Sequence, residues 1–302
     1  MSKQLTRRPV HWLPLLLALP LIAREPLADR IGHTDQEKFA PQVAIHHGAG
    51  RFMGMFVLDS HALDANLQFV HRAIIEPKSS AGHHFHTTIE EMFVIFDGEA
   101  QFTIDGRTSL LKAPVAVLCP KGHSHAIYNP TDKPIQWLCI QVTSQKNATD
   151  AFDLNDPRTD VPLDPVPVFM NTRLDHSLLR AVQSMNGGKG TVQYKRALDP
   201  SVFGTPWAYV DQFVLPPSAS IGAHLHREIS EVYYVVSGQG AVTVSTQGTK
   251  PETAAIHTGD AIPIQFGDIH SFENTGSEPL EFIVAGVARD LRKKIDNIDV
   301  RP

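Results

Sequence analysis

Two stretches, GHHFHTTIEEMFVIFDG at residues 82–98 and GAHLHREISEVYYVVSG at residues 222–238, decide how this chain folds. Each contains two histidines separated by one residue, followed by a glutamate and a glycine at identical spacings. An offset of 140 residues therefore superimposes the two stretches. Downstream the offset becomes 145, and it pairs Gly122, His125 and Asn129 with Gly267, His270 and Asn274. A period repeated with the same functional residue types indicates that one unit has been duplicated.

Each copy has the sequence pattern of β structure. Short runs rich in Val, Ile and Phe are separated by turn signals such as Asp97-Gly98 and Asp105-Gly106. Strands of this length at even spacing are typical of a sandwich or barrel. The five-residue difference between the two offsets predicts a longer hairpin loop in the second copy, around Thr246–Ala255. We therefore predict an all-β chain with two tandem barrels.

Composition excludes several classes of protein. The chain has 302 residues, of which 42% are hydrophobic and 20% charged, so it is neither intrinsically disordered nor of low complexity. The formal net charge is -5. A chain with no net positive field has little to attract a phosphate backbone, and nucleic acid is therefore not an expected partner.

The beginning of the chain resembles an export signal. Lys3, Arg7 and Arg8 precede an apolar run from Trp12 to Ala23, which is too short to span a bilayer comfortably. We predict a signal peptide within residues 1–28, removed after Ala23 or Ala28, and a periplasmic or secreted protein with no stable membrane anchor after processing. Arginines 7 and 8 also suit the twin-arginine route. The alternatives are an uncleaved anchor and a disordered tail.

The two cysteines, Cys119 and Cys139, lie in apolar, strand-like runs. A buried cysteine in such a run often serves as a small hydrophobic residue. Neither has a second cysteine at CxxC spacing, which argues against redox catalysis and thiolate metal sites. The sequence favours free thiols and leaves a bridge between them open.

The repeated histidines and glutamates form two candidate metal sites. Side chains alternate along a strand, so two histidines separated by one residue point to the same side. Three imidazoles and one carboxylate form a ligand set for a divalent first-row transition metal. Positions left open on the metal would admit water, dioxygen or a substrate oxygen. The predicted ligands are His84, His86, Glu91 and His125 in the first copy, and His224, His226, Glu231 and His270 in the second.

Three neighbouring residues could be confused with these ligands. His83 and His123 are expected to face the other way. Glu90 could compete with Glu91, but only Glu91 keeps the spacing of the second copy.

The spacing of these residues resembles the two characteristic motifs of the cupin superfamily. The matching motifs are His84-x-His86-xxxx-Glu91-xxxxxx-Gly98 with Pro120-x-Gly122-xx-His125-xxx-Asn129, and their counterparts ending at Gly238 and Asn274. The resemblance departs at Gln265 and at Ala113-Pro114, which are turn positions. It implies a bicupin, with two tandem double-stranded β-helix (jelly-roll) barrels that each hold a buried metal. We assign residues 30–145 to the N-terminal cupin domain, 146–175 to a linker and 176–302 to the C-terminal cupin domain.

The resemblance leaves three reaction classes open. They are an oxygenase similar to quercetinase-type bicupins, a decarboxylase, lyase or isomerase similar to oxalate decarboxylase, and a non-catalytic metal- or ligand-binding cupin. Oxalate decarboxylases carry an arginine three residues before the first motif histidine. Here these positions are Ala81 and Ile221, which disfavours oxalate as the substrate. Arg72 could instead hold an anion at the first site, or it could be a solvated strand residue.

Aromatic residues on or beside the predicted strands favour the oxygenase. Some of them should line the metal cavities and suit a small aromatic or enol substrate: Phe69, Phe93, Phe102, Trp137, Trp207, Tyr209, Tyr233 and Phe282. Glu91 and Glu231 would then also act as general bases. We expect two metals per chain, with Mn or Fe favoured and Ni, Cu and Zn open. The expected partner is a small-molecule substrate, and a homo-oligomer is left open.

Overall fold

The computed structural model describes residues 24–246 and 248–295, and strands dominate them. The first half contains a short helix, α1 (Leu27–Arg30), and the strands β1 (Gly32–His33), β2 (Ala40–Val43), β3 (Arg51–Leu58), β4 (Leu67–Ile75), β5 (Ser80–Phe85), β6 (Ile89–Ile95), β7 (Glu99–Ile104), β8 (Arg107–Lys112), β9 (Val115–Cys119), β10 (Ser124–Tyr128) and β11 (Ile135–Thr143).

The second half repeats this order. Its strands are β12 (Phe152–Asp153), β13 (Asn171–Arg173), β14 (Arg180–Gln183), β15 (Thr191–Leu198), β16 (Trp207–Leu215), β17 (Ser220–His224), β18 (Ile229–Ser237), β19 (Gln239–Ser245), β20 (Glu252–His257), β21 (Asp260–Ile264), β22 (Ile269–Glu273) and β23 (Leu280–Ala288). Short 3-10 turns lie at Gln36–Lys38, Ile45–His47, His176–Leu178, Met185–Gly187 and Pro200–Val202.

Each barrel consists of two antiparallel sheets. In the first barrel the strand orders are β13-β9-β6-β11-β4-β3-β2 and β12-β5-β10-β7-β8. In the second barrel they are β1-β21-β18-β23-β16-β15-β14 and β17-β22-β19-β20. The prediction of an all-β chain with two tandem jelly-roll barrels is confirmed.

The central strands of the larger sheet of each barrel are buried on both faces. Along β6, Phe93 and Ile95 point into the first barrel, whereas Met92 and Val94 join an apolar cluster that also contains Tyr234 of the second barrel. Because successive side chains of a strand face opposite sides, this alternation separates a barrel interior from an inter-barrel core. It also explains why β6 is apolar almost throughout and does not alternate with polar residues.

The barrels exchange short edge strands. β1 precedes the first barrel but pairs with β21 of the second. β13 precedes the main strands of the second barrel but pairs with β9 of the first. β12 and β13 both lie within the predicted linker, residues 146–175. The predicted domain boundaries therefore stay a prediction. In the structure, each barrel also includes a short strand from outside its main run of strands.

The difference in length between the two repeats lies in one hairpin, as predicted. β7 and β8 are joined by Asp105-Gly106 alone, and both residues have positive φ, 49° and 75°. This is the turn that Asp-Gly favours in two-residue hairpins. β19 and β20 are joined by residues 246–251. Among the described residues, we find no helix long and apolar enough to cross a membrane.

Candidate metal centres

The first candidate centre lies inside the N-terminal barrel. His84 lies on β5, Glu91 on β6 and His125 on β10, while His86 follows the end of β5. Pairing of β5 with β10 places His84 opposite His125. All four predicted ligands are buried, and one candidate ligand atom from each lies within 4.8 Å of the others.

Hydrogen bonds fix how the imidazoles face the centre. Nδ1 of His84 donates to the carbonyl of Gly82 at 2.7 Å, and Nδ1 of His125 donates to the carbonyl of His123 at 3.2 Å. Because a carbonyl only accepts, Nδ1 carries a proton in both rings, and Nε2 is the atom that each ring turns toward the centre. The buried Nε2 of His86 has no hydrogen-bond partner among the residues that the structure describes. These side chains fit a divalent cation.

The charges of the first centre suit a cation as well. Burial lowers the pKa of His84 to about 2, so its imidazole is neutral at physiological pH. Burial alone would raise the pKa of Glu91, but the hydrogen bond and charge of His125 outweigh it and lower that pKa to about 2. Glu91 Oε2 lies 2.8 Å from Nε2 of His125. Three imidazole rings around one carboxylate match the ligand set of a divalent metal, which binds each ring through a nitrogen that carries no proton.

The second centre repeats this construction in the C-terminal barrel. His224 on β17 pairs with His270 on β22, and Glu231 lies on β18. Nδ1 of His224 donates to the carbonyl of Gly222 at 2.9 Å, and Nδ1 of His270 donates to that of Asp268 at 3.1 Å. Burial lowers the pKa of His224 to about 3. His226 completes the cluster, whose candidate ligand atoms also lie within 4.8 Å of one another.

The residues that could be confused with ligands face away, as expected. Glu90 accepts hydrogen bonds from the backbone amides of Gly204 and Thr205, at 2.7 and 3.0 Å, across the inter-barrel core. His83 pairs with Ser124 and His123 with Asp105.

The cysteines are free and buried, which confirms the favoured alternative. Both flank Glu91, since Cys119 pairs with it in register and Sγ of Cys139 lies 4.0 Å from its Oε1. Burial raises the pKa of both thiols well above the usual value, so they stay protonated.

Two groups beside the first centre were not found from the sequence. The ring of His46 stacks on that of His84, with centroids 3.6 Å apart, and its Nδ1 lies 2.6 Å from Asp153. The carbonyl of Asp150 accepts a hydrogen bond from Nδ1 of His86. His46 lies in a turn before β3, and Asp150 follows β11, so neither belongs to the recurring motifs.

The pockets above the two centres differ in chemistry. The N-terminal pocket, about 270 Å³, has aromatic walls formed by Phe56, Phe69, Phe93 and Trp137. Burial lowers the pKa of His71, which also lines it, to about 4. Of the other predicted wall residues, Tyr209 and Tyr233 line the C-terminal pocket, whereas Phe102, Trp207 and Phe282 belong to apolar cores.

The C-terminal pocket, about 540 Å³, contains a charged pair. Arg196 donates from Nε and Nη2 to the two carboxylate oxygens of Asp211 at 2.6 and 3.0 Å, and its guanidinium lies 4.1 Å from the ring centre of Tyr209. The Tyr209 hydroxyl donates to Oε1 of Glu231 at 2.7 Å. A network of four side chains therefore leads from the pocket to a predicted metal ligand.

Burial dominates the pKa values of Asp211 and Tyr209. It raises the pKa of Asp211 to about 6, although the hydrogen bond from Arg196 opposes the shift. Burial also raises the pKa of Tyr209 well above its usual value, so the hydroxyl keeps its proton. Asp211 is thus a group in the pocket that can exchange a proton near neutral pH.

Sequence reasoning did not single out Arg196 and Asp211, although the repeat contained a signal. The offset of 140 pairs Arg196 with Phe56, Asp211 with His71 and Tyr209 with Phe69. These are positions where the copies differ. The Tyr209 ring also requires Gly286, because a Cβ there would lie 2.5 Å from Cζ of the tyrosine.

The expectation for Arg72 was wrong. This residue is buried and points away from the first centre into the inter-barrel core, where Nε donates to the hydroxyl of Tyr234 at 3.1 Å and Nη1 to the carbonyl of Trp137 at 2.8 Å. It is neither an anion-binding group of the first pocket nor a solvated strand residue.

Comparison with known proteins agrees with the fold and the two centres. A family model described as Cupin domain matches residues 71–141 and 212–286, which contain every predicted ligand. The chain belongs to the cupin family. An oxalate-binding protein of Thermotoga maritima is 31% identical over 102 residues, which cover 34% of this chain and 80% of that protein.

Solved structures similar to this chain include bicupin oxalate decarboxylases. The Bacillus subtilis enzyme has a TM-score of 0.62 at 18% identity, over 86% of this chain and 76% of that one. The Lactobacillus farciminis enzyme, in complex with formate, has a TM-score of 0.64 at 16% identity, over 89% and 88% of the two chains. At these identities the likeness establishes the fold alone.

Proposed function

We propose that this chain is a metal-dependent bicupin enzyme whose C-terminal centre performs proton-transfer chemistry on a small organic acid, in the decarboxylase, lyase or isomerase class. The arrangement of the C-terminal pocket carries the proposal. It combines a cation, Arg196, with a carboxylate whose pKa lies near 6, Asp211, and a hydroxyl bonded to a predicted metal ligand, Tyr209 on Glu231. The N-terminal pocket has aromatic or neutral residues at the three counterpart positions.

Arg196 is the group suited to hold a substrate carboxylate. Its hydrogen bonds to Asp211 use Nε and Nη2, and Nη1 offers further N–H donors. The side chain is 35% exposed, so it can meet a ligand that enters the pocket. The buried carboxylate of Asp211 and the ring of Tyr209 hold the guanidinium in one position, which reduces the entropy lost on binding.

Asp211 is the proton-handling group of this pocket. A side chain with a pKa near the working pH both accepts and returns a proton readily, and Asp211 meets this condition. Tyr209 keeps its proton and holds the carboxylate of Glu231 by the 2.7 Å hydrogen bond. A divalent ion held by His224, His226, Glu231 and His270 would supply Lewis-acid polarisation of a substrate oxygen. Basic roles for Glu91 and Glu231 stay predictions.

The comparisons support an organic acid, and manganese as one metal to test. The Bacillus subtilis oxalate decarboxylase contains Mn(II) centres, and the Thermotoga relative is an oxalate-binding protein. Oxalate itself is disfavoured, because Ala81 and Ile221 line the two pockets where those decarboxylases would have an arginine. A cavity of about 540 Å³ also has room for a larger acid.

A substrate panel tests the proposal. Full-length protein loaded with Mn or Fe is incubated with small keto, hydroxy and dicarboxylic acids, with and without oxygen, and products are followed by NMR. We expect turnover without oxygen that is lost in Asp211→Asn and retained in the matched variant His71→Asn, the counterpart position of the first copy. Failure of every acid with every loaded metal would refute the enzyme and favour a binding protein.

Oxygen-dependent turnover of an aromatic or enol substrate is a second candidate function. It is favoured by the walls of the N-terminal pocket, where Phe69, Phe93 and Trp137 surround the first centre. Oxygen-electrode assays with phenols, flavonols and diketones test it. Consumption that Glu91→Gln abolishes and Glu231→Gln leaves intact would establish this activity, whereas no consumption would exclude it for that panel.

We also propose that the protein is exported. The basic and apolar segment, residues 1–23, lies outside the described residues. Arg24 pairs with Asp268 at 2.7 Å, and Leu27 is buried in the C-terminal barrel. These contacts favour cleavage after Ala23, since cleavage after Ala28 would remove both of them. N-terminal sequencing of protein from the native host would then begin at Arg24, and an intact Met1 would contradict export. A homo-oligomer stays a prediction.

A further inference from the structure

A third cluster of potential metal ligands lies on the surface, where the exchanged strand β1 meets the C-terminal barrel. It consists of His33, His257 and Asp260, whose candidate ligand atoms lie within 4.8 Å of one another. Pairing of β1 with β21 places His33 directly opposite Asp260. Both imidazoles are more than half exposed, while the Asp260 carboxylate is fully buried.

The two imidazoles converge on one oxygen. Nδ1 of His33 lies 2.7 Å from Oδ1 of Asp260, and Nδ1 of His257 lies 3.2 Å from the same atom. The other oxygen, Oδ2, accepts a hydrogen bond from the backbone amide of His257 at 2.9 Å, which fixes the carboxylate plane. Within the described residues, the groups that pair with this carboxylate within 4 Å are these two histidines.

This geometry is close to that of a tetrahedral zinc site. Zinc binds imidazole nitrogen at about 2.0–2.1 Å and carboxylate oxygen at about 2.0–2.2 Å, so neighbouring ligand atoms stand about 3.3 Å apart. The His257 contact already has that length. The His33 contact is shorter, but the residue lies on a two-residue edge strand with a half-exposed ring and can open by a few tenths of an ångström. A buried carboxylate is also stabilised by a cation placed beside it.

We propose that His33, His257 and Asp260 form a third metal site, which takes zinc or another borderline divalent cation and leaves one coordination position to water. Two histidines and a carboxylate with an open position are a known zinc ligand set. The site is separate from the buried centres, and it joins the segment before the first barrel to the second barrel. A bound ion would therefore hold β1 against β21 of the second barrel.

Zinc itself is the probe for this site. Full-length protein is loaded at its buried centres and freed of excess metal, and zinc binding is then measured against a chromophoric chelator and counted by elemental analysis. We expect wild type to take up one zinc more than His33→Gln and His257→Gln, in which affinity for that ion falls at least tenfold. The control is His61→Gln, an exposed histidine outside the cluster, which should match wild type. Equal zinc uptake in all four proteins would overturn the proposal.

Cobalt provides a second measurement that does not depend on the count. Co²⁺ added to the same loaded wild type should produce the visible absorption of a four-coordinate site, and His33→Gln should lack it. Circular dichroism and the metal content of the buried centres should be unchanged in this variant. Absence of the band in wild type would overturn the site, whatever the outcome of the substrate panel.

Discussion

Replacement of Tyr209 by Phe removes one hydroxyl and tests whether the C-terminal network supports the metal centre. The hydroxyl donates to Oε1 of Glu231 at 2.7 Å, and both side chains are buried. A hydrogen bond to a charged group contributes about 1.5–3 kcal/mol. Loss of such a partner behind a metal ligand costs about 10–100-fold in metal affinity or activity. The ring itself should still fit, because Phe69 occupies the counterpart position of the first copy.

The assay isolates the second centre. The substitution is made in a His84→Ala background, so that the first centre does not contribute, and the metal Kd is measured by chelator competition. We expect Kd to rise about 10–100-fold, in line with about 1.4 kcal/mol per tenfold. Tyr194→Phe is the control, because its hydroxyl contacts Asp211 at 3.3 Å and no predicted ligand. If both variants bind metal as the parent does, the hydrogen bond does not support the centre.

Three further outcomes are expected. If ionised Asp211 accepts the proton, turnover should rise with pH through about 6. Arg196→Gln should move this rise to higher pH, because the hydrogen bond and charge of the arginine no longer lower the pKa of Asp211. If the rise does not move in a pH–rate profile, Asp211 is excluded as the base. His84→Ala and His224→Ala should each lose one buried metal and keep the other, as elemental analysis after manganese loading would reveal; loss of both from either variant would contradict independent centres. Chelation should lower Tm but leave the β-type circular dichroism intact, since each barrel has its own apolar core and a ligand at 100 times its Kd adds about 2.7 kcal/mol; complete unfolding at room temperature would argue against this.

The repeated motif predicted the barrels and the two ligand clusters because each copy supports the interpretation of the other. A single pair of histidines on a strand has many explanations, but the same four residues at the same spacing twice has few. Spacing also selected Glu91 over Glu90, and the structure places Glu91 with the histidines and Glu90 in the inter-barrel core.

The network in the C-terminal pocket could not be predicted in the same way. Arg196, Asp211 and Glu231 come from three different strands, β15, β16 and β18, whose neighbours are set by sheet order and not by sequence distance. Arg72 was misread because β4 is buried on both faces, so an apolar pattern does not reveal which face lines the barrel. The exchanged strands β1 and β13, of two and three residues, are too short for a periodic signal.

A comparison of Glu231→Gln with Glu91→Gln tests most directly whether a metal-dependent reaction takes place in the C-terminal barrel. Each substitution keeps an oxygen of similar shape at its centre and removes the negative charge and the proton-accepting ability. The measurement is anaerobic turnover of the best organic acid of the panel by full-length protein loaded with metal. We predict that Glu231→Gln loses most of the turnover and that Glu91→Gln keeps most of it. Equal turnover in Glu231→Gln and wild type, or loss confined to Glu91→Gln, would contradict it.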